Sequence, residues 1–179
     1  MSNKKESLFL KNVNLPRMLF NERMVNFIAF EPSLINVDFF FPSLSLFCNR
    51  VKDTRQIIIE VLDDNDMMKT CDIYAIDNEI RSNTDWSDIF NININNVFYQ
   101  RVGVYSDSLN WGIYIDNADF EIGIVGFKNL KYKNTFLECF TEERDVFQSI
   151  EGYIQEMDTM LKFSPENKEL YNSIIENYS

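Results

Sequence analysis

The chain has 179 residues, of which 45% are hydrophobic and 25% are charged, and its formal net charge is −11. A chain this apolar can bury a sizeable core, so its composition excludes a disordered protein and suits a single domain over residues 1–179. We expect neither a signal peptide nor a membrane span, because residues 1–11 are polar and no later apolar run is long enough.

The cysteines indicate a reducing compartment. Cys48, Cys71 and Cys139 are odd in number and widely spaced, so they form neither a metal-binding pair nor a disulfide framework. We therefore expect buried free thiols in a soluble, cytoplasmic protein.

The negative charge is concentrated in the middle of the chain. Residues 1–55 carry a net charge of +3, residues 56–127 carry −10 and residues 128–179 carry −4. Such a surface repels nucleic acid and anionic lipid and attracts basic proteins. We expect a basic protein partner and no binding to nucleic acid or membrane, with acidity that serves only solubility as the alternative.

The first predicted elements are strands. Apolar and polar side chains alternate over residues 34–48, which predicts two strands or one bent strand, with Pro42 at an edge or a bulge. Residues 51–62 also fit a helical stripe, but the β-branched run within them favours a further strand over residues 56–62. A turn rich in Asp and Asn follows at residues 63–66, and residues 71–76 form a candidate partner strand.

The middle of the chain predicts an antiparallel meander. After a short helix that begins at Thr84, three segments are rich in β-branched and aromatic residues. They cover residues 97–105, 111–115 and 121–127, and their connectors are short and rich in Asp, Asn and Ser.

Two helices are predicted at the C-terminal end. Thr141 begins the first, and Ser164 with Pro165 begins the second. The first has an apolar stripe at spacings of three and four, formed by Val146, Ile150, Tyr153, Ile154, Met157 and Leu161. The second has a similar stripe, formed by Leu170, Ile174 and Tyr178. Strands followed by helices predict an α+β fold in which both helices pack on one face of the antiparallel sheet.

The chain contains no histidine, which excludes the commonest general base and the commonest metal ligand. A calcium loop beginning at Asp64 would need an oxygen ligand and then a glycine where the chain has Met68 and Lys69. Gly123 and Gly126 lack the Gly-Lys of a phosphate-binding loop and instead favour a bulge or a close backbone approach. We therefore expect no enzyme activity, no cofactor and no metal.

Two charged clusters remain. Asp116, Asp119 and Glu121 lie close together on a hairpin, where they suit an acidic contact patch, an ordinary turn or acid catalysis. The basic cluster is predicted to lie in a solvated loop and consists of Lys128, Lys131 and Lys133.

The hairpin over residues 110–127 carries a resemblance. Its sequence runs Asn110-Trp111-Gly112-Ile113-Tyr114-Ile115-Asp116 and continues as Asp119-Phe120-Glu121-Ile122-Gly123-Ile124-Val125-Gly126-Phe127. It resembles the Trp-Gly…acid…Glu-Ile hairpin of small bacterial immunity proteins that accompany polymorphic or contact-dependent toxins. The resemblance implies a binding protein that occludes the active site of a toxin and has no turnover of its own.

We predict that turn acids and nearby aromatic residues contact a basic toxin or nuclease, although core packing is the alternative for Trp111. The predicted contact residues are Asp63, Asp64, Asp66, Asp107, Trp111, Tyr114, Asp116, Asp119 and Glu121. A phage- or plasmid-encoded accessory or structural protein that self-associates is the alternative function, and a histidine-free enzyme is a third. We expect a monomer or a homodimer.

Overall fold

The structure, a computed structural model, describes residues 8–10, 13–20, 24–53, 57–61, 101–106 and 108–179. Within this part of the chain, the strands are β1 (Asn26–Phe30), β2 (Ile57–Val61), β3 (Arg101–Ser106), β4 (Trp111–Asp116) and β5 (Ile122–Phe127). The α-helices are α1 (Phe40–Arg50), α2 (Leu130–Cys139), α3 (Ile150–Leu161) and α4 (Pro165–Tyr178). Short 3-10 helices cover Pro32–Asn36 and Thr141–Val146.

The strands form one antiparallel sheet in the order β1-β5-β4-β3-β2. The predicted meander is confirmed as β3, β4 and β5, and the strand predicted over residues 56–62 is confirmed as β2. Local patterns did not reveal β1, which pairs with β5 across almost 100 residues of chain and places Phe27 opposite Gly126. The predicted α+β fold with an antiparallel sheet is therefore confirmed.

Alternating side chains give the sheet two buried faces. Ile113 faces α1 and α2, whereas its neighbour Tyr114 faces α3 and α4. We call the first side the phenylalanine core; its buried aromatic residues are Phe30, Phe40, Phe41, Phe47, Trp111, Phe127, Phe136, Phe140 and Phe147. We call the second side the tyrosine core; its buried aromatic residues are Phe9, Phe20, Phe27, Tyr105, Tyr114, Phe120, Tyr153, Tyr171 and Tyr178.

The strands predicted over residues 34–48 are wrong, because this segment forms a 3-10 helix and then α1. The buried residues of α1 follow a helical stripe and are Phe40, Phe41, Leu44, Phe47 and Cys48. Pro42 lies in the first turn of α1, where a backbone N–H has no partner within the helix, so proline is tolerated there. Leu46 and Val37, which the alternating pattern includes, are exposed.

The two C-terminal helices are confirmed, with one correction to where the first begins. Residues 141–146 form a 3-10 helix, and α3 begins only at Ile150, where the Ser149 side chain accepts a hydrogen bond from the Gly152 N–H. The predicted stripe is buried at its four central positions, from Ile150 to Met157, whereas Leu161 is exposed. In α4, Ser164 and Pro165 begin the helix as predicted.

The loop predicted around Lys131 and Lys133 is instead helix α2. Asn129 begins this helix, because its side chain accepts a hydrogen bond from the Tyr132 N–H at 3.1 Å. The Lys133 ammonium donates to the backbone oxygen of Phe27 at 3.1 Å, so α2 covers part of the free edge of β1. Further along that edge, the backbone groups of Ala29 exchange two hydrogen bonds with Gln148, each at 2.9 Å.

Several predictions lie outside the described residues. They are the turn with Asp63, Asp64 and Asp66, the strand over residues 71–76 with Cys71, the helix beginning at Thr84, and Asp107. Cys48 and Cys139 are buried and free, as predicted. Of the helices that the structure describes, none has the length and apolar character needed to cross a membrane.

Candidate functional site

The two aromatic residues predicted as contact anchors are fully buried. Trp111 packs edge-on against Phe47 in the phenylalanine core, and its indole N–H donates to the Asp53 carboxylate at 3.0 Å. Tyr114 is buried in the tyrosine core. Neither side chain presents a surface to a partner, so their predicted contact role does not fit this structure. Core packing, the alternative for Trp111, is what the structure shows.

Asp116 is also fully buried, and its predicted position in solvent is wrong. One carboxylate oxygen accepts from Arg101 Nε at 3.1 Å and from the Tyr114 hydroxyl at 3.2 Å. The other accepts from the backbone N–H groups of Ala118 and Asp119, both at 2.9 Å. A buried carboxylate needs such partners, because an unpaired one carries a large desolvation cost. Asp116 therefore shapes the β4–β5 turn from inside.

Asp119 and Glu121 lie at the surface, as predicted. The Asp119 side chain is 62% exposed, although it also pairs with the guanidinium of Arg101. Glu121 adopts a left-handed backbone conformation with φ of 47°. Such a conformation is unfavourable for a residue with a Cβ atom, by roughly 1–2 kcal/mol, and it persists only where the surroundings hold it.

Two tyrosines hold this strained turn. The Tyr171 hydroxyl, from α4, donates to the Phe120 carbonyl oxygen at 3.1 Å. The Tyr153 hydroxyl, from α3, donates to the Glu121 carbonyl oxygen at 2.9 Å. Each C-terminal helix thus fixes one carbonyl group of the turn, and together they fix where the Glu121 side chain leaves the backbone.

A groove of about 650 Å³ lies beside Glu121, and we call it the acidic groove. Among the residues that the structure describes, its charged lining consists of four carboxylates: Glu31, Glu121, Asp145 and Glu156. Its apolar lining consists of Pro32, Val146, Met157, Met160 and Leu161. Tyr153 and the polar residues Ser33, Asn117 and Gln148 complete the lining. The groove lies between α3, the β4–β5 turn and the two 3-10 segments.

The four carboxylates of the acidic groove form no ion pair with a lysine or arginine in the part of the chain that the structure describes. Glu31 accepts from the Ser33 hydroxyl and Glu156 accepts from the Gln148 amide, each at 2.5 Å. Both donors are neutral, so these two hydrogen bonds do not neutralise the carboxylates.

The carboxylates of the groove affect the pKa of the Tyr153 phenol. Burial raises the pKa of its phenol, and the nearby carboxylates raise this pKa further, with Glu31 contributing more than Glu121 or Glu156. A phenolate beside three carboxylates would be repelled by each of them, so the hydroxyl stays protonated and continues to donate to Glu121.

The C-terminal end of α3 contributes apolar surface to the groove. Met160 is 66% exposed and Leu161 is 59% exposed, so two large apolar side chains face solvent beside the carboxylates. Among the described residues, no three acidic or cysteine side chains lie close enough together to hold a metal ion. The groove therefore suits a ligand that brings both positive charge and apolar surface.

No protein-family model, curated protein or solved structure matches this chain. Sequence reasoning found Glu121 but missed Glu31, Asp145 and Glu156. These three lie outside residues 56–127, the segment that carries most of the negative charge. They meet Glu121 only through the packing of distant segments, and no local pattern marks them.

Proposed function

We propose that this protein is a non-enzymatic binding protein that recognises a basic protein partner through the acidic groove. The observation that carries the proposal is the set of four carboxylates that line the groove, with no lysine or arginine among the described lining residues. Such a surface steers a positively charged partner toward it and raises the association rate by about 10- to 1000-fold.

More specifically, we propose an immunity or inhibitor function against a basic toxin or nuclease. The resemblance of the hairpin over residues 110–127 to bacterial immunity proteins supports this proposal, and Glu121 of that hairpin lines the acidic groove. A nuclease binds its phosphate-rich substrate in a basic cleft, so an acidic protein seated there would block substrate access.

The structure gives less support to the other two hypotheses. Acid catalysis by Asp116 would require substrate access, whereas its carboxylate is enclosed by Arg101, Tyr114 and the backbone of the turn. Self-association through the acidic groove would bring together two chains that each carry a net charge of −11, which is repulsive.

The proposal is tested by measuring binding to purified basic nuclease toxins, together with the nuclease activity that remains. We expect one of them to bind and to lose activity, with an association rate that falls as salt rises. The double variant Glu121→Lys with Glu156→Lys should slow association by about tenfold or more.

The matched control is Glu166→Lys with Glu169→Lys, which makes the same change in net charge on the exposed part of α4. It should slow association much less, because neither residue lines the groove. If both double variants slow association equally, only the net charge matters, and the groove is not the contact surface.

A further inference from the structure

The wall that α3 contributes to the acidic groove is a regular stripe. Tyr153, Glu156, Met157 and Met160 lie at spacings of three and four, so they follow one side of the helix. From Tyr153 to Met160 the stripe rises by about 10 Å, which is two turns of helix. The groove is therefore elongated along α3.

Charge and apolar surface lie at different ends of this stripe. Three carboxylates lie toward the N-terminal end. The Tyr153 hydroxyl donates to the backbone of Glu121, and Glu156 accepts from Gln148, which precedes α3. Glu31 lies two residues after Ala29, whose backbone pairs with Gln148. Met160 and Leu161, both largely exposed, lie at the C-terminal end. A ligand that fills the groove must match this order, with positive charge one to two helical turns away from apolar side chains.

The dimensions indicate which part of a partner enters. A volume of about 650 Å³ accommodates several side chains and not a whole helix, so one face of a partner helix would insert while its backbone stays above the groove. Side chains that project at i, i+3, i+4 and i+7 from such a helix match the two-turn stripe on α3.

The structure disfavours two other occupants. A second copy of this chain would bring its own net charge of −11 to an already negative surface. A small polycation would satisfy the carboxylates but would leave Met160 and Leu161 in water.

We propose, building on the binding function proposed above, that the acidic groove takes a basic amphipathic helix of the partner protein. Lysine or arginine side chains of that helix bind between Glu31, Glu121 and Glu156. Aliphatic side chains on the same face, one to two turns away, pack on Met160 and Leu161.

The probe for this proposal is a short synthetic peptide with lysine and leucine side chains on one helical face. A peptide of the same composition in scrambled order is its control, and spermine is the small polycation. Affinities are measured by fluorescence anisotropy, or by competition for spermine, at low and at physiological salt. We expect the amphipathic peptide to bind about tenfold more tightly than the scrambled peptide, the gain from burying a modest apolar surface.

Two sets of variants separate the charged end from the apolar end. Met160→Ser with Leu161→Ser should lower the affinity for the amphipathic peptide to that for the scrambled one and leave the salt dependence unchanged. Glu121→Gln with Glu156→Gln should weaken both peptides and flatten the salt dependence. Leu130→Ser, at an exposed residue of α2 away from the groove, should change neither.

The amphipathic and scrambled peptides could bind equally well and both be weakened by the glutamine substitutions. That result would overturn the proposal that the groove takes an amphipathic helix, but it would leave the proposed basic partner standing. Spermine binding as tight as that of the amphipathic peptide would also overturn it, in favour of a small polycation. A dimer that dissociates in the Met160→Ser, Leu161→Ser variant would identify a second copy as the occupant. Failure of both peptides to bind would count against this inference and against the proposed function together.

Discussion

The two faces of the sheet bury aromatic side chains of different chemistry. In the phenylalanine core, the buried aromatic residues are eight phenylalanines and Trp111. All five buried tyrosines that the structure describes lie instead in the tyrosine core, and three of them belong to α3 and α4. Both cores exclude water, but only the phenolic side brings hydroxyl groups that must find hydrogen-bond partners.

Those hydroxyls connect the C-terminal helices to segments that lack regular structure. Tyr153 and Tyr171 hold the two carbonyl groups at the end of the β4–β5 turn. Tyr178 accepts from the Leu19 N–H and donates to the Arg17 carbonyl oxygen, both at 2.8 Å. The phenylalanine core thus supplies packing, whereas the tyrosine core also positions the turn that carries Glu121 into the acidic groove.

Alkaline pH should break the tyrosine core, and we expect this to be the largest effect because several groups act together. Burial raises the pKa of Tyr171 from 10.0 to about 12 and raises the pKa values of Tyr114, Tyr153 and Tyr178. The folded chain holds these protons more tightly than the unfolded chain does. Stability is therefore full below pH 10 and is lost as pH rises through 10 to 12.

Circular dichroism and phenolate absorbance, followed over the same alkaline titration, check this expectation. The ionisation of the buried tyrosines should coincide with loss of the folded signal. If these tyrosines ionise while the circular dichroism is unchanged, their hydroxyls are not held as described.

Phe136→Ala should cause the largest loss from a single substitution on the other face. The ring is fully buried against Phe47, Phe127, Phe140 and Phe147, so its removal leaves a cavity. We expect the free energy of unfolding to fall by about 3–5 kcal/mol, measured by urea denaturation. Leu130→Ala, at an exposed position of the same helix, is the control and should cost no more than about 0.5 kcal/mol. A small loss for Phe136→Ala would mean that this core can collapse around the gap.

Tyr178→Phe tests the hydroxyl groups of the tyrosine core and should have a smaller effect on stability than Phe136→Ala. The ring and its packing remain, but the Leu19 N–H loses its acceptor and the Arg17 carbonyl loses its donor. We expect a loss of about 1–3 kcal/mol, because a buried donor is left without a partner. Tyr171→Phe removes one hydrogen bond, to Phe120, and should cost about 1 kcal/mol. If neither Tyr178→Phe nor Tyr171→Phe lowers the free energy of unfolding, the phenolic hydroxyls do not stabilise the fold.

Local patterns were sufficient for the elements whose burial follows a simple period. The meander was predictable because β3, β4 and β5 are consecutive and joined by short polar connectors. The strands predicted over residues 34–48 were wrong because many of the apolar residues there fit a period of two. The buried residues Phe40, Leu44 and Phe47 also fit the period of a helix. The place of β1 beside β5 depends on a long-range pairing that no local pattern encodes.

The site was less predictable than the fold. Asp116 looked like an exposed turn residue, but the strand register places Arg101 directly opposite it, and this cross-strand pairing allows both to be buried. The predicted bounds of the meander pair Tyr105 with Trp111, whereas the observed register pairs Tyr105 with Gly112 and is shifted by one residue. Because a shift of one residue changes every cross-strand partner, the pair of Arg101 and Asp116 could not be found from those bounds. The meeting of Glu31, Asp145 and Glu156 with Glu121 depends on tertiary packing and could not be found from local patterns either.

The covered edge of β1 has a consequence for how this protein meets others. An unprotected edge strand is a template for intermolecular strand addition, through which sheets polymerise into fibres. Lys133 occupies the Phe27 carbonyl and Gln148 occupies both backbone groups of Ala29, so an incoming strand finds these positions taken. At this edge, fibril growth by strand addition is therefore obstructed by the Lys133 side chain and the Gln148 backbone, even at salt concentrations that screen the repulsion between the negatively charged chains.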